Sequence, residues 1–296
     1  MLRHCRTTRG QQIVINTAKV VFMTQPFTLA SPPLSQCVLF PRSSNLRQLS
    51  DTGGSSETMN SDYNSQLEKI FEEKRSLRSK LRAELKKMDP IRRTQEDNAI
   101  QSIVLQAPWF KSSKSICAYV SCDSLREVDT SRIMSEILSK PATEGNVQIK
   151  RKLYVPRVED RNSNMRMLNI SSLNDLITNS MNILEPALLD CNGNPREDVM
   201  QASEPVNLII LPGLGFDKSG RRLGRSGGYY DMFLKKYQEL VKKQNWKQPF
   251  LVALSYSLQI VDDGILAVTP YDVPVDALVT PSGFIPISSI ALENCQ

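Results

Sequence analysis

Between residues 208 and 241 the sequence predicts a strand, a glycine-rich loop and a helix in direct succession. The apolar run that ends at Leu211 predicts a buried strand, because aliphatic residues fill it without a polar break. From Gly228 to Val241, apolar residues recur at helical spacing and predict a helix. Five glycines lie between the two elements, and a sixth, Gly228, begins the helix. This order forms part of a βαβ unit and favours a parallel sheet.

The same alternation of strands and helices is predicted for most of the remaining chain. Strands are predicted at 116–121, 153–158, 167–170, 206–211, 250–254 and 277–280, and helices at 65–88, 90–106, 131–138 and 228–241. Asp89 and Pro90 are typical of an N-cap and a first helical position. Residues 159–205, rich in Asn, Ser and Pro, are predicted to be the least regular part. We therefore expect a single three-layer, Rossmann-like α/β domain with a mostly parallel sheet flanked by helices.

The loop between the strand and the helix has the composition of an anion-binding site. Its glycines allow the backbone to approach a phosphate, and the start of a helix presents unpaired amides. Arg222 and Arg225 can add charge-assisted hydrogen bonds to phosphate oxygens. The loop matches neither the Walker A motif nor the GxGxxG fingerprint. From the residues alone, a phosphate site and a glycine-rich surface turn with solvated arginines both remain open.

The first predicted helix adds two cations. At about 100° per residue, Lys74 and Arg78 fall within its apolar stripe, beside Phe71 and Leu81. Cations on a face that packs against the protein need an anion, whereas a lysine that snorkels past apolar neighbours does not. The spacing therefore indicates either a second part of an anion site or a solvated pair.

The first 50 residues differ in composition from the rest of the chain. They contain six basic residues and no acidic one, which leaves 31 basic and 31 acidic residues in the remainder. This composition predicts an organelle transit peptide at 1–49, then a linker at 50–63 and the α/β domain at 64–296. The alternative is a disordered basic tail. A neutral body lacks the electrostatic footprint of a nucleic-acid binder, and the apolar runs of the leader are too short to span a membrane.

Histidine occurs only at position 4, inside the predicted leader. The predicted domain therefore has no imidazole for a Ser-His or Cys-His pair or for a metal site. Its cysteines, at positions 117, 122, 191 and 295, form no CxxC pair and are expected to be reduced. Chemistry in this domain has to rely on carboxylates, lysine, arginine, tyrosine and backbone amides.

Five motifs in the body are more informative together than alone. They are Lys74-Arg-Ser-Leu-Arg78, Tyr154-Val-Pro-Arg157, Leu211-Pro-Gly-Leu-Gly-Phe-Asp217, Arg222-Leu-Gly-Arg225 and Gly228-Tyr-Tyr-Asp231. Over about residues 66–285 the chain resembles the 5-formyltetrahydrofolate cyclo-ligases, also called methenyltetrahydrofolate synthetases, and in particular their organelle-targeted, plant-like members. The resemblance implies ATP- and Mg²⁺-dependent closure of 5-formyltetrahydrofolate to 5,10-methenyltetrahydrofolate, with release of ADP and phosphate.

The resemblance also implies roles for individual residues. ATP would contact Lys74, Arg75, Ser76, Leu77, Arg78, Arg222, Leu223, Gly224, Arg225, Ser226, Gly227, Gly228, Tyr229 and Tyr230. The folate would contact Val120, Glu127, Arg225, Ser226, Gly227, Gly228 and Tyr229, with Arg225 and Tyr229 as the catalytic residues. Asp231 and Asp272 would bind Mg²⁺. Alternatively, Asp231 is only a first-turn carboxylate that the helix dipole favours, and Asp272 only precedes a strand.

Ser226 departs from the pattern of the family, which usually has glycine at this place. If the position needs a positive φ, serine costs on the order of 1 kcal/mol and its side chain crowds the phosphate.

We further expect reduced folate as the ligand, no nucleic-acid or membrane partner, a monomer, and a location in the mitochondrial matrix, with the plastid as second choice. Two other classes of function remain open: another Rossmann-like enzyme acting on a phosphate ligand, such as a sugar-phosphate isomerase or a CoA-transferase, and a non-catalytic nucleic-acid-binding module. The joint presence of the Lys74/Arg78 pair and the Gly228-Tyr-Tyr-Asp231 motif argues against the first class. The neutral body argues against the second.

Overall fold

The computed structural model describes residues 56–144 and 147–294. The predicted transit peptide at 1–49 lies outside the described residues. The helices are α1 (Ser56–Lys87), α2 (Pro90–Gln106), α3 (Pro108–Ser112), α4 (Ser131–Ser139), α5 (Tyr229–Gln244) and α6 (Ser289–Glu293). The strands are β1 (Ser115–Ala118), β2 (Ala142–Glu144), β3 (Val147–Ile149), β4 (Lys152–Val158), β5 (Met165–Ile170), β6 (Leu176–Thr178), β7 (Leu184–Pro186), β8 (Leu208–Leu211), β9 (Gly215–Phe216), β10 (Arg222–Leu223), β11 (Phe250–Leu254), β12 (Ala277–Thr280) and β13 (Gly283–Pro286).

Seven of these strands form one central sheet in the order β13-β12-β11-β8-β1-β4-β5. The five inner strands, from β12 to β4, run parallel, whereas β13 and β5 pair antiparallel at the two edges. The prediction of a mostly parallel sheet in a Rossmann-like α/β domain is therefore confirmed. The edge strand β13 was not predicted, because its four residues are only half-buried and carry no long apolar run.

The two faces of the sheet carry separate hydrophobic cores, since alternate residues of a strand point to opposite sides. In β1, Ile116 and Ala118 join a core with residues of α1 to α4 and α6, while Cys117 faces the other way. That second core contains Phe233, Tyr237 and other residues of α5. Helices thus cover both faces, and the three-layer arrangement follows from the alternation within each buried strand.

The helices before β1 largely match the sequence expectations. Asp89 caps α2, its carboxylate accepting a hydrogen bond from the Arg92 amide at 2.9 Å, and Pro90 is the first helical residue. Helix α1 begins at Ser56, nine residues before the predicted start, and so extends into the segment predicted as a linker. The glycines of that segment end at Gly54, and residues 56–63 contain neither glycine nor proline. Within the described parts of the chain, no helix has the length and apolar character needed to cross a membrane.

The chain order of the strands places a crevice at one edge of the sheet. From the central strand β1 the chain moves outward to β4 and β5, then returns to β8 on the other side of β1. The connections that leave β1 and β8 therefore diverge at the carboxyl ends of these two strands. In open α/β sheets this switch point is where ligands bind.

Candidate active site

A cleft of about 280 Å³ lies at the switch point. Its first wall is formed at the ends of three strands: by Tyr119 and Val120 after β1, by Pro212 and Gly213 after β8, and by Val158, the last residue of β4. Residues 222–231 form another wall, and Met181, Ile183 and Leu184 from the β6–β7 hairpin form the third. The predicted loop, the predicted substrate contacts Val120 and Glu127, and a hairpin from the region predicted to be irregular thus meet in one place.

The glycine-rich loop enters helix α5 through residues with positive φ. Gly228 occupies the N-cap with φ 66° and Ser226 has φ 105°. The family resemblance left the backbone at Ser226 open, and the structure places this serine in the region that glycine adopts at least cost. Ser226 is exposed, so its side chain has room, and the strain lies in the backbone alone.

Tyr229 and the loop backbone are fastened to the turn before β5. The Tyr229 hydroxyl donates a hydrogen bond to the carbonyl of Asp160 at 2.9 Å, and the Ser163 hydroxyl donates to the carbonyl of Gly227. The Tyr229 ring lines the cleft while its hydroxyl is held outside it. This residue can therefore contribute ring contact and loop position, but its proton is already engaged.

Arg222 is the most deeply buried cation of the loop, with 2% of its side chain exposed. Its Nη2 donates to Oδ1 of Asp231 at 2.7 Å, and its Nη1 donates to the carbonyl of Pro212 at 3.3 Å. Its Nε is buried and has no hydrogen-bond partner among the described residues. A buried guanidinium with one unused donor beside a cleft is a group that a bound anion would satisfy.

Helix α1, on whose apolar stripe the sequence placed Lys74 and Arg78, brings both cations to the same corner. Lys74 is buried and forms an ion pair with Asp272. Arg78 is half-buried and donates from Nε to the carbonyl of Gly224 at 2.8 Å. Burial, and then the positive charge of the nearby Arg82, lowers the pKa of Arg78, which shows how closely the cations are crowded.

The remaining residues of the Lys74–Arg78 motif do not face this corner. Arg75 and Ser76 are exposed, and the Arg75 guanidinium pairs with Glu72 at 2.9 Å on the outer side of α1. Leu77 packs against the hydrophobic core. The structure thus brings together Lys74 and Arg78 of this motif with Arg222, and leaves Arg75 and Ser76 on the surface.

The two predicted metal ligands lie beside one another. Oδ1 of Asp231 accepts a hydrogen bond from the amide of Val273 at 3.2 Å, the residue directly after Asp272. Asp272 uses Oδ2 for Lys74 and for both the amide and the hydroxyl of Thr269. Oδ2 of Asp231 and Oδ1 of Asp272 make no hydrogen bond to any described residue.

This oxygen set fits magnesium that arrives with phosphates. Mg²⁺ commonly binds through one or two carboxylates together with phosphate oxygens and water, rather than through an all-protein cage. Consistent with that pattern, the described residues contain no cluster of three or more His, Cys, Asp or Glu side chains. Asp231 and Asp272 each keep one free oxygen, which is what such a shared site requires.

Glu127 lies at the other end of the cleft, close to Arg225. Its Oε2 accepts from the amide of Cys122 at 3.0 Å, and its Oε1 accepts from Nε of Arg225 at 3.3 Å. Arg225 also donates from Nη2 to the carbonyl of Leu125. Burial raises the pKa of Glu127 above its ordinary value, although Arg225 and the Cys122 amide oppose the shift. Both oxygens of Glu127 are thus engaged by the protein.

One polar residue of the cleft was not predicted from the sequence. Glu185, in strand β7, is 6% exposed and lines the cleft among Ile183, Leu184 and Val158. No motif contains it, and it lies in the stretch 159–205 that was predicted to be irregular. The only local signal is a glutamate between Leu184 and Pro186, since an acidic residue within an apolar run is uncommon unless it has a partner.

The arrangement is suited to a ligand with two different ends. One end of the site offers Lys74, Arg78 and Arg222 with two carboxylates, a set that binds phosphates and a divalent cation. The other end is largely apolar and holds a few polar groups, which suits a flat heterocycle whose edge makes hydrogen bonds.

Known proteins resemble this chain over most of its length. The family model described as 5-formyltetrahydrofolate cyclo-ligase family matches residues 70–281. The chain is 62% identical over 229 residues to the mitochondrial 5-formyltetrahydrofolate cyclo-ligase of Arabidopsis thaliana, covering 77% of this chain and 81% of that protein. It is 30% identical over 209 residues to the 5-formyltetrahydrofolate cyclo-ligase of Mus musculus, covering 70% and 92%.

The fold has a solved counterpart as well. The NMR structure of the 5,10-methenyltetrahydrofolate synthetase of Aquifex aeolicus superimposes with a TM-score of 0.56 at 25% identity, covering 73% of this chain and 93% of that one. The family model extends over the α1 cations, the glycine-rich loop, Glu127, Glu185 and Asp272. All parts of the candidate site therefore lie within the matched region.

Proposed function

Because this chain belongs to the 5-formyltetrahydrofolate cyclo-ligase family, we propose that it closes 5-formyltetrahydrofolate to 5,10-methenyltetrahydrofolate while ATP is converted to ADP and phosphate. The observation that carries this proposal is the division of the cleft. Arg222 and Asp231 line the cleft, and the Lys74–Asp272 ion pair adjoins them through the hydrogen bond from the Val273 amide to Asp231. The rest of the lining is largely apolar and includes Glu127 and Glu185. A ligase that joins a phosphoryl donor to a heterocycle needs both environments within one site.

In the proposed reaction, the γ-phosphoryl group of ATP moves to the formyl oxygen of the folate, and ADP is released. N10 of the folate then attacks the formyl carbon, the carbon–oxygen bond breaks with its electron pair on phosphate, and N10 loses its proton. Neither step requires a covalent protein nucleophile. The absence of histidine from residues 5–296 is therefore compatible with the reaction.

The residues of the charged corner would position and neutralise the phosphates. Lys74, Arg78 and Arg222 supply the positive charge. Asp231 and Asp272 would hold Mg²⁺ through their free oxygens, and the bound ion would neutralise phosphate charge. Arg225 and Tyr229 would contact the reacting groups, Arg225 through its charge and Tyr229 through its ring.

The direct test is to incubate the purified full-length chain with 5-formyltetrahydrofolate and MgATP and to follow the absorbance of the methenyl product. Conversion should require both ATP and Mg²⁺. Arg78→Ala should weaken ATP affinity roughly tenfold to a hundredfold, since a charge-assisted contact contributes about 1.5–3 kcal/mol. Lys80→Ala, which removes an exposed cation two residues away on the same helix, is the matched control and should behave as wild type. No conversion under any of these conditions would refute the proposed function.

We also propose that the protein acts in mitochondria, in the matrix. The acid-free leader at 1–49 and the similarity to the mitochondrial enzyme of Arabidopsis thaliana support this location, with the plastid as the alternative. Fused to a fluorescent protein, the full chain should be imported, whereas a chain that lacks residues 1–49 should remain in the cytosol and keep its activity. Import of the shortened chain would contradict the proposed targeting role.

A further inference from the structure

Glu185 has an unusual environment for a carboxylate. Its Oε1 accepts a hydrogen bond from the amide of Val158 at 3.2 Å, and this is its one hydrogen bond to the described residues. No described Lys or Arg forms an ion pair with it. Its second oxygen, Oε2, is not sealed in the protein and reaches the cleft. The walls around it are the apolar side chains of Val158, Ile183 and Leu184.

Arg157, the residue before Val158, makes its contacts elsewhere. Arg157 donates from Nη1 to the carbonyl of Pro186 at 2.9 Å, and its Nε lies 4.0 Å from Glu159. The guanidinium therefore fixes the backbone that follows Glu185 without neutralising its carboxylate. This contrasts with Glu127, both oxygens of which are bound by the protein.

A carboxylate buried among apolar side chains is costly unless donors satisfy its oxygens. The protein satisfies one oxygen of Glu185 and leaves the other open to the cleft. A ligand that displaces water from this wall therefore has to supply the missing donor itself. A carboxylate accepts hydrogen bonds from N–H groups and repels phosphate and carboxylate groups. This wall of the cleft therefore selects a heterocycle that bears N–H groups and excludes the anionic parts of both substrates.

We propose that Glu185 is a specificity-determining residue of the folate site, with Oε2 accepting a hydrogen bond from an N–H group of the reduced folate. The inference rests on the proposed function and adds to it a second carboxylate contact, on the wall opposite residues 222–231. Because a site built to bind an N–H group leaves a buried acceptor unpaired when that group is absent, such a contact discriminates strongly between related heterocycles.

The test compares two substitutions. Glu185→Leu removes the acceptor and keeps a similar volume, whereas Glu185→Gln keeps a carbonyl oxygen in the same place. The dissociation constant for 5-formyltetrahydrofolate should rise roughly tenfold to a hundredfold in Glu185→Leu and stay within about fivefold of wild type in Glu185→Gln. The KM for ATP should not change in either variant. Glu204→Leu, which removes an exposed carboxylate outside the cleft, is the control and should bind folate as wild type does.

Melting temperatures separate recognition from a structural role, since Glu185 also binds the Val158 amide. If Glu185→Leu melts earlier but its folded fraction binds the folate as tightly as wild type, the inference is wrong. It is equally wrong if Glu185→Gln loses as much affinity as Glu185→Leu. Should the leucine variant not fold, Glu185→Ala replaces it, with the same loss of affinity expected. A wild-type protein that binds no folate would refute the proposed function itself, and this outcome is visible before any variant is compared.

Discussion

The two ends of the cleft hold their charged groups in opposite ways. At the charged corner each carboxylate has a cation: Asp231 is bound by Arg222 at 2.7 Å, and Asp272 is paired with Lys74. At the apolar end, Glu127 is paired with Arg225 at 3.3 Å, and Glu185 has no cation among the described residues. In the corner every carboxylate is paired with a cation, whereas the apolar end leaves the Glu185 carboxylate without one.

The pKa shifts of the carboxylates follow the same division. Burial alone would raise the pKa of Asp272, but the Lys74 ammonium and the Thr269 donors lower it below its ordinary value. For Glu127 the balance is reversed, because burial outweighs Arg225 and raises the pKa. Burial acts on both carboxylates; the donors outweigh it at Asp272 and do not outweigh it at the more deeply buried Glu127.

Because each carboxylate of the corner is already paired with a cation, the binding of phosphate and the binding of the metal ion depend on one another. A phosphate that approaches Lys74 and Arg222 has to compete with Asp272 and Asp231, and a metal ion that approaches these carboxylates has to compete with the same cations. When phosphate and metal ion arrive together, the cations pair with phosphate and the carboxylates pair with the metal ion. Little charge is then left uncompensated. The corner should therefore bind MgATP much better than it binds either component alone.

The largest effect is expected at Arg225, which lines the cleft and holds Glu127. Arg225→Ala should lower kcat/KM at least about a hundredfold, close to 3 kcal/mol of transition-state stabilisation. It should also destabilise the fold by about 2 kcal/mol, because the side chain of Glu127, only 9% exposed, is left without its cation. Urea unfolding and steady-state kinetics measure the two effects.

A second variant separates these two losses. Glu127→Gln in the Arg225→Ala background removes the uncompensated charge and should restore part of the stability without restoring activity. If Arg225→Ala changes only the affinity for ATP and leaves folate binding and stability intact, Arg225 belongs to the charged corner alone, and the boundary between the two ends lies elsewhere.

The next effect tests the self-balanced corner. Asp231→Asn removes the negative charge that occupies Arg222, so metal-free ATP should bind roughly tenfold more tightly than to wild type, while the Mg²⁺ concentration for half-maximal activity should rise. Calorimetry in the presence of a chelator measures the first effect. Asp262→Asn, at an exposed carboxylate, is the control and should change neither. Unchanged ATP binding together with a lower melting temperature would show that Asp231 has only a structural role, through its ion pair with Arg222 and through the helix dipole, the latter contributing about 0.3–1 kcal/mol.

A smaller effect is expected in the pH dependence of stability. Since the folded-state pKa of Glu127 is raised, the folded state holds the proton more tightly than the unfolded chain. The contribution of this proton is present at low pH and is lost as the pH rises from the ordinary glutamate pKa, 4.5, through the raised value. The difference in unfolding free energy between wild type and Glu127→Gln should therefore shift against wild type over this range. A difference that is constant between pH 4 and 7 would contradict the raised pKa.

Local sequence patterns were enough to predict the elements that position the charged corner. The helical phase of α1 predicted that Lys74 and Arg78 face the protein, and the strand, glycine-rich loop and helix of residues 208–241 predicted where the loop lies. These inferences succeed because they depend on periodicity and turn chemistry within about 30 residues.

The pairing of charges and the apolar end could not be predicted in this way. Lys74 and Asp272 are 198 residues apart, and no local pattern encodes which cation meets which carboxylate. Glu185 lies on a three-residue strand of a two-stranded hairpin, too short for a clear alternation, and its role becomes visible only when β7 is placed beside the end of β4. Long-range pairing decides both features.

The smallest effect concerns the loop that joins the two ends. Ser226 has φ 105° and an exposed side chain, so Ser226→Gly should relieve backbone strain without removing a buried contact. Relief of about 1–2 kcal/mol is partly offset by the greater freedom of glycine in the unfolded chain, which leaves a gain of about 0.5–1 kcal/mol and a rise in Tm of roughly 2 °C.

Gly228→Ala is the matched opposite: φ is 66°, and an added Cβ would meet nothing closer than the Ser163 Oγ at 3.4 Å, so any loss of stability reports the backbone conformation rather than a clash. We expect about 1 kcal/mol of destabilisation there. A stabilised Gly228→Ala, or a Ser226→Gly that melts earlier than wild type, would show that the loop adopts other backbone angles in solution, and the fixed spacing between the charged corner and the apolar end would then have to come from the Tyr229 and Ser163 hydrogen bonds instead.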